Sequence, residues 1–214
     1  MNVELINVYG NDLSIVNAAR VSYGKQKDVI DDSDIKLIKY LKNHGHTSPF
    51  RHAFLQFRIE CPIFVERQLF KHQIGLSANS ISGRYVDFSD KYHTIKQLRL
   101  QSNDSKQGSG DDMDRPDLVE RMNSHIEESA SLYRELCDAG VAKEQARVIL
   151  PLALETQFIW SGSLQAFLHL WDLRLKSDSQ LETREISAMM LEQVANIEGQ
   201  PFKHTLEAWG YERI

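Results

Sequence analysis

The clearest hydrophobic pattern in the chain is the strict alternation of apolar and polar residues in AFLQFRIE. Ala53, Leu55, Phe57 and Ile59 lie on one face of an extended chain, and the polar residues between them lie on the other. This pattern predicts a half-buried β-strand. A second, shorter strand is predicted from Val3 to Val8.

Apolar residues spaced three and four positions apart predict that most of the remaining chain is helical. In DDSDIKLIKYLKNHG, Ser33 or Asp34 is a candidate N-cap, and Gly45 fits a left-handed helix end. Pro62 suits the first turn of another helix, which we expect to cover roughly residues 63–73. Further helices are predicted from Asn11 or Asp12 to about Ser22, over about 118–139 and 143–150, and in SLQAFLHLWDLRL and EISAMMLEQVANIEG.

These elements predict an α+β fold, because helices dominate and the few strands cluster early in the sequence. With 214 residues, 42% of them hydrophobic, the chain can bury a core of ordinary size. We expect a single domain over residues 1–214, although two small domains are compatible with this length. Residues 101–117, QSNDSKQGSGDDMDRPD, have no core-forming pattern and are predicted to form a mobile loop or insertion.

The net charge of −5 and the pI of about 5.9 argue against a protein dedicated to binding nucleic acid. A local basic pocket for a small anionic ligand is compatible with this balance. The two cysteines, Cys61 and Cys137, have neither a CxxC nor a metal-binding spacing. The polar N-terminus and the lack of a long apolar run predict neither a signal peptide nor a membrane span. We therefore expect a soluble cytoplasmic protein.

The segment FKHQIGLSANSISGRYVDF carries many hydrogen-bond donors and few apolar residues, although it follows a well-formed amphipathic helix. If the helix continues to residue 73, Gln68, Lys71 and His72 share one polar face, which by itself is typical of a solvated surface. The loop that follows offers Ser80, Ser82 and Gly83 for close backbone approach, and a planar arginine fork follows at position 84. It lacks the order of a P-loop or of a GxGxxG motif, so this pattern indicates a small phosphate-bearing ligand.

Two arginines lie in apolar surroundings, Arg147 in QARVILPL and Arg174 in LWDLRLK. Burying arginine without a partner is costly, so each is expected to pair with a carboxylate or to complete an anion site. Glu155 and Asp172 are the candidate carboxylates in the neighbouring sequence.

Two further features have simpler interpretations. The histidines of NHGHTSPFRH, at positions 44, 46 and 52, are weak evidence for a metal, and we favour a polar turn at a helix end. Cys61 is a conceivable nucleophile, but no base stands near it in the sequence, so inert packing is favoured.

Taken together, these segments resemble the flavin-dependent thymidylate synthases over nearly the whole chain. VELINVYGNDLSIVNAARVSY is similar to the family's opening strand and helix, HGHTSPFRHAFLQFRIECPIFVERQLFKHQ to its next block, and ARVILPL and LRLKSDSQ to later ones. The most specific match is KHQ followed after eight residues by SGRY, which resembles the family signature RHR, seven or eight residues, then serine.

The resemblance implies an α+β fold with a small, mostly antiparallel sheet packed with several helices. It also implies a homotetramer with active sites between subunits. Such enzymes convert dUMP to dTMP, taking carbon from methylenetetrahydrofolate and reducing equivalents from NADPH through bound FAD.

The resemblance also assigns site residues by matching position. It places these at the nucleotide: Gln68, Leu69, Phe70, Lys71, Ser80, Ile81, Ser82, Gly83, Arg84, Arg147 and Arg174. It places these at the flavin: Ser48, Lys71, His72, Gln73, Ser80, Ser163, Leu164, Gln165 and His169. Arg174 is the expected catalytic residue, which would meet the pyrimidine and favour ionisation at its N3.

The chain also departs from the family pattern. Lys71 and Gln73 stand where the signature has arginines, and Ser80 (or Asn79 in a rival alignment) stands where an acidic residue is usual. Further departures are Ser163, Gln165, Arg51 and Asp178. Two alternatives therefore stay open: hydroxymethylation of dUMP or dCMP at the same carbon, and a flavin-free protein that binds nucleotides through its basic residues.

Overall fold

The computed structural model describes residues 1–86, 91–103 and 107–211. Its main sheet has the strand order β1–β2–β6–β3, and every neighbouring pair is antiparallel. These strands are β1 (Asn2–Tyr9), β2 (Phe54–Pro62), β3 (Leu76–Ser80) and β6 (Glu155–Ser163). The α+β fold with a small antiparallel sheet is therefore confirmed.

The predicted alternation in β2 is also confirmed. Ala53, just before the strand, and Leu55, Phe57 and Ile59 within it are all buried, while the intervening residues face the other side of the sheet. That other side is polar, and its side chains pair across strands: Gln56 donates to Ser161, for example. Helices therefore cover only the apolar face.

The expectation that the strands cluster early is wrong, because the central strand β6 follows most of the helices. β6 buries Phe158 and Trp160 and pairs with both β2 and β3. Its end is built around Gly162, where an added Cβ would lie 2.4 Å from the Gly75 carbonyl oxygen. Small residues at this end weaken the strand pattern in the sequence, which explains why β6 was not predicted.

Eight α-helices occur within the described residues. They are α1 (Asp12–Arg20), α2 (Asp32–Asn43), α3 (Ile63–Leu69), α4 (Pro116–Asp138), α5 (Lys143–Ala146), α6 (Leu164–Arg174), α7 (Leu181–Ala195) and α8 (Lys203–Trp209). Most lie close to the predicted segments, and the apolar stripe of α6 is fully buried as predicted. The short helix α8 was not predicted.

The N-cap of α2 is Asp31 rather than Ser33 or Asp34. The Asp31 carboxylate accepts hydrogen bonds from the N–H groups of both of those residues, because an extended residue at this point can reach the first free amides. Gly45 has the predicted left-handed conformation, with φ of +67°.

The helix predicted over residues 63–73 ends at Leu69, so α3 is shorter than expected. Lys71 and His72 therefore lie in the turn beyond the helix, and the predicted common helical face with Gln68 is wrong. Gly75, with φ of +76°, completes the turn, and its carbonyl oxygen accepts from the Ser163 N–H at 3.1 Å. This contact joins the turn directly to the start of α6.

Residues 101–117, predicted to form a mobile loop or insertion, contain regular secondary structure where the structure describes them. β4 (Leu98–Gln101) pairs with β5 (Ser109–Met113) as a two-stranded antiparallel sheet, and α4 begins at Pro116. Arg99 of β4 pairs with Glu182 of α7, which links this small sheet to the helices. Residues 104–106 of the predicted loop lie outside the described residues.

Candidate functional site

Several of the predicted site residues line one of two cavities. The first, called here the Arg147 cavity, has a volume of about 620 Å³. Among its lining residues are Glu66, Arg67, Phe70, Ser80, Ile81, Gly83 and Arg147. The second, the Arg174 cavity, has a volume of about 460 Å³ and includes Gln68, Gln107, Arg174, Asp178 and Gln180. No lining residue is common to the two.

The Arg147 cavity brings the end of β3 and its following loop close to α3 and α5. The Ile81 N–H continues the sheet by donating to Gln157 O at 2.8 Å. The chain then turns: the Ser82 carbonyl oxygen accepts from the N–H groups of Tyr85 and Val86. The turn places the Gly83 backbone on the wall of the cavity, where a side chain would otherwise stand.

Arg147 lies at the end of α5 and is exposed, with its Nε donating to the Glu144 carbonyl oxygen at 3.4 Å. Among the residues that the structure describes, neither predicted carboxylate pairs with an arginine. Glu155 lies 3.9 Å from the N-terminal amine, and Asp172 accepts from Trp209 and Tyr211. The interpretation of Arg147 and Arg174 as buried partners of these carboxylates is therefore wrong, and both guanidinium groups border cavities instead.

Glu66 adds a carboxylate that sequence reasoning missed. It is half-buried on α3 and accepts a hydrogen bond from the Ser80 hydroxyl at 2.9 Å. Burial raises the pKa of Glu66, while the Ser80 hydrogen bond and the nearby Arg67 charge act in the opposite direction. A charged residue inside the apolar stretch before KHQ was the only sequence signal for it.

Arg174, which lines the second cavity, is in direct contact with His72. The Arg174 Nε donates to the His72 Nε2 at 2.8 Å, and the rings of His72 and His169 lie edge to face with centroids 6.1 Å apart. Gln68 donates to Gln180 at 3.0 Å across the same region. The structure therefore brings together His72, His169 and Arg174, all predicted as site residues.

His72 is held in its neutral form. Burial, the adjacent Arg174 charge and His169 lower the pKa of His72 from 6.5 to about 4. Because Nε2 accepts from Arg174, the ring proton stands on Nδ1. His72 uses only the Nε of Arg174, so the two terminal nitrogens keep their capacity to donate hydrogen bonds to a ligand.

The start of α6 supplies three further predicted flavin residues, Ser163, Leu164 and Gln165. Ser163 caps the helix by accepting from the Ala166 N–H at 3.3 Å, and the Leu164 side chain is fully buried. Gln165 differs, because its buried side-chain oxygen has no hydrogen-bond partner within the described residues. One turn further along the helix, His169 is exposed. A buried acceptor without a partner, one turn from an exposed histidine, fits a polar cofactor held here.

The other predicted residues are more exposed. Lys71 and Gln73 lie in the turn after α3, and Ser48 begins a short 3₁₀ helix that packs against α6. The Arg84 guanidinium lies over the Tyr85 ring, 5.4 Å from its centroid. Leu69 is buried and Phe70 stacks edge to face on Phe158, so these two support the wall rather than offering polar groups.

The alternatives considered for histidine and cysteine are resolved by local contacts. His44 stacks on Tyr40 with ring centroids 4.0 Å apart, and its Nδ1 lies 2.9 Å from the Tyr40 carbonyl oxygen, as expected for a polar helix end. No cluster of three metal-ligating side chains occurs among residues 1–86, 91–103 and 107–211. Burial raises the pKa of the Cys61 thiol to about 12, so it packs inertly. No helix in these ranges has the length and apolarity to cross a membrane.

An α+β fold whose cavities are bordered by arginines, with an unpaired buried acceptor nearby, is typical of the class of proteins that bind anionic ligands and cofactors. Sequence comparison gives the family. The profile of the family described as Thymidylate synthase complementing protein matches residues 4–198. A flavin-dependent thymidylate synthase of Kosmotoga olearia is 39% identical over 86% of this chain and 80% of its own length. One of Thermosipho africanus is 35% identical over 97% of this chain and 90% of its own. The chain belongs to the flavin-dependent thymidylate synthase family.

Solved structures show the same fold as this chain. A UMP/dUMP methylase, PolB, from Streptomyces cacaoi bound with 5-Br dUMP superposes with a TM-score of 0.86 at 27% identity. The match covers 98% of this chain and 94% of that one. The same methylase bound with 5-Br UMP gives a TM-score of 0.82.

Proposed function

We propose that this chain is a single-domain, FAD-dependent thymidylate synthase that methylates dUMP at C5 to give dTMP. Methylenetetrahydrofolate would donate the carbon, and NADPH would supply the reducing equivalents. The observation that carries the proposal is the Arg174 guanidinium, which is oriented by a neutral His72 beside His169 in a chain that belongs to this family.

The nucleotide phosphate is assigned to the Arg147 cavity. Arg147 provides a guanidinium fork on one side, and the Ser82–Gly83 turn provides a hydroxyl and a close backbone approach on the other. Arg84 and Lys71 directly follow the lining residues Gly83 and Phe70 in the chain, so both would add positive charge near the cavity. This arrangement favours the binding of an anion, although the chain has no P-loop.

The pyrimidine is assigned to Arg174. Methylation at C5 requires electron density on the ring, and a guanidinium at the ring edge stabilises the negative charge that develops there in a site with little water. The neutral His72 contributes by accepting from Nε, which fixes the plane of the guanidinium and leaves its terminal N–H groups for the base. Cys61 takes no part, because it is buried with a raised pKa.

The flavin is assigned to the residues around His72, Gln165 and His169. Bound FAD would supply the hydride that completes the methyl group. Gln165 can satisfy its unpaired oxygen by accepting from the cofactor, and the exposed His169 can donate to it. Ser163 and Leu164 would hold the helix start in place, while Lys71, Gln73, Ser48 and Ser80 would line the approach.

The proposal includes a homotetramer in which different copies complete one site. Within one chain the Arg147 and Arg174 cavities share no lining residue, yet phosphate and pyrimidine belong to the same small ligand. Association that brings the Arg147 cavity of one copy to the Arg174 cavity of another meets this requirement.

The direct test is the mass of the product formed from dUMP with FAD, methylenetetrahydrofolate and NADPH. A product heavier by one methylene unit is expected. A product heavier by CH₂O would show hydroxymethylation instead, and dCMP and UMP should be assayed in parallel. A protein that binds dUMP yet remains colourless and takes up no added FAD would identify the flavin-free alternative.

A further inference from the structure

The carboxylate of Glu66 stands in the cavity that the proposed function gives to the nucleotide phosphate, where a negative charge would repel the ligand unless it met a donor. It is half-buried, and within the described residues its only side-chain hydrogen bond comes from the Ser80 hydroxyl. A carboxylate with two oxygens can accept more than one hydrogen bond, so acceptor capacity remains.

The chemistry of dUMP limits which of its groups can donate a hydrogen bond to Glu66. dUMP has two hydrogen-bond donors, the N3–H of the base and the hydroxyl at C3′ of the sugar. The base is assigned to Arg174, in the other cavity, whereas the sugar is joined through its 5′ carbon to the phosphate assigned to the Arg147 cavity. The sugar hydroxyl is therefore the donor that comes within reach of Glu66.

We propose that Glu66 is a positioning residue that accepts a hydrogen bond from the 3′-hydroxyl of the nucleotide, with Ser80 holding the carboxylate in place. This inference rests on the proposed function. This arrangement orients the nucleotide. The carboxylate binds the sugar hydroxyl and repels the phosphate, which therefore lies towards Arg147. Hydrogen bonds to a charged group are stronger than neutral ones, and the loss of the ligand donor leaves the charge unpaired.

The test compares dUMP with 2′,3′-dideoxyuridine 5′-monophosphate, which lacks only the 3′-hydroxyl. Dissociation constants are measured by calorimetry on FAD-loaded protein. The wild type should bind the analogue about 10- to 100-fold more weakly than dUMP. Glu66→Ala should bind both equally within about twofold, and Glu66→Gln, which keeps a neutral acceptor, should give an intermediate ratio.

Glu60→Ala is the matched control. Glu60 is also half-buried and also accepts from one side chain, Gln157 at 2.6 Å, but it does not line the Arg147 cavity. It should keep the wild-type ratio. The ratio of the two dissociation constants distinguishes a direct contact from a purely structural role, because displacement of the Ser80 loop would weaken the binding of both ligands equally.

Two results would overturn the inference, and they are distinguishable. If the wild type binds dUMP but the Glu66 variants keep the wild-type discrimination, the role of Glu66 is refuted while the proposed function stands. If the wild type does not bind dUMP at all, the proposed function falls and this role falls with it.

Discussion

His72 and Arg174 show how two residues can define each other's chemistry. The imidazole is neutral because it is buried beside a guanidinium, and the guanidinium is oriented because the imidazole accepts from it. The sequence identified both residues through the family resemblance. It could not predict their contact, because residue 72 was placed on a longer helix and 102 positions separate the pair in the chain.

The Arg174 contact predicts a loss of turnover in two variants. Arg174→Ala and Arg174→Lys should each lower kcat by at least about a hundredfold, since lysine lacks both the Nε donor and the planar fork. Both variants should keep the wild-type circular dichroism and thermal unfolding. Arg115→Ala, which removes an exposed guanidinium paired with Asp117, should keep wild-type rates. Wild-type turnover in Arg174→Ala would refute the assigned role.

The lowered pKa of His72 predicts a pH-dependent stability. Because the folded pKa is about 4 and the ordinary value is 6.5, the unfolded chain binds a proton first as the pH falls. The stabilisation is thus complete above the unfolded pKa and is lost towards pH 4. Between about pH 7 and pH 4.5, the free energy of unfolding of the wild type should fall by about 1–2 kcal/mol more than that of His72→Gln. This range allows for the partial exposure of the imidazole.

Urea unfolding of the FAD-free protein at both pH values measures this difference. The control is His125→Gln, which removes a histidine that is 79% exposed on α4. Equal pH sensitivity in the wild type and in His72→Gln would contradict the neutral histidine.

At the scale of elements, the residues assigned to the flavin are positioned by the junction of β6, α6 and the turn after α3. Gly162 is required there because the Gly75 backbone crosses β6 at close range. Gly162→Ala should lower the free energy of unfolding by about 2–3 kcal/mol, because the new methyl group meets a backbone oxygen that cannot move aside. Gly110→Ala in β5, where the nearest atoms are 3.5 Å away, should change it by less than about 0.5 kcal/mol. Equal stability of the two variants, measured by chemical denaturation, would contradict this packing.

The elements that the sequence predicted correctly have strong local signals. β2 alternates over its length, and α6 has its apolar residues on one stripe. The elements that it missed depend on partners elsewhere: β3 is formed of small and polar residues and is extended only because it pairs with β6. Long-range pairing of this kind leaves no periodicity in the sequence. Glu66 was missed for the same reason, since its contact with Ser80 exists only in the folded chain.

At the scale of the whole molecule, the proposed function divides the nucleotide between two cavities of the chain. The phosphate is assigned to the Arg147 cavity, and the base is assigned to the guanidinium that lines the Arg174 cavity. In the proposed assembly, a nucleotide uses both cavities where two copies of the chain meet. Activity should therefore depend on assembly, so dilution below the dissociation constant of the assembly should lower the specific activity.

The most direct measurement is complementation between two inactive variants. Arg147→Ala and Arg174→Ala, each unable to form dTMP alone, are co-expressed and the mixed assemblies are assayed. Random association should restore about a quarter of the wild-type specific activity, since that share of sites receives both arginines. Mixed assemblies that form but stay inactive would contradict a site shared between copies.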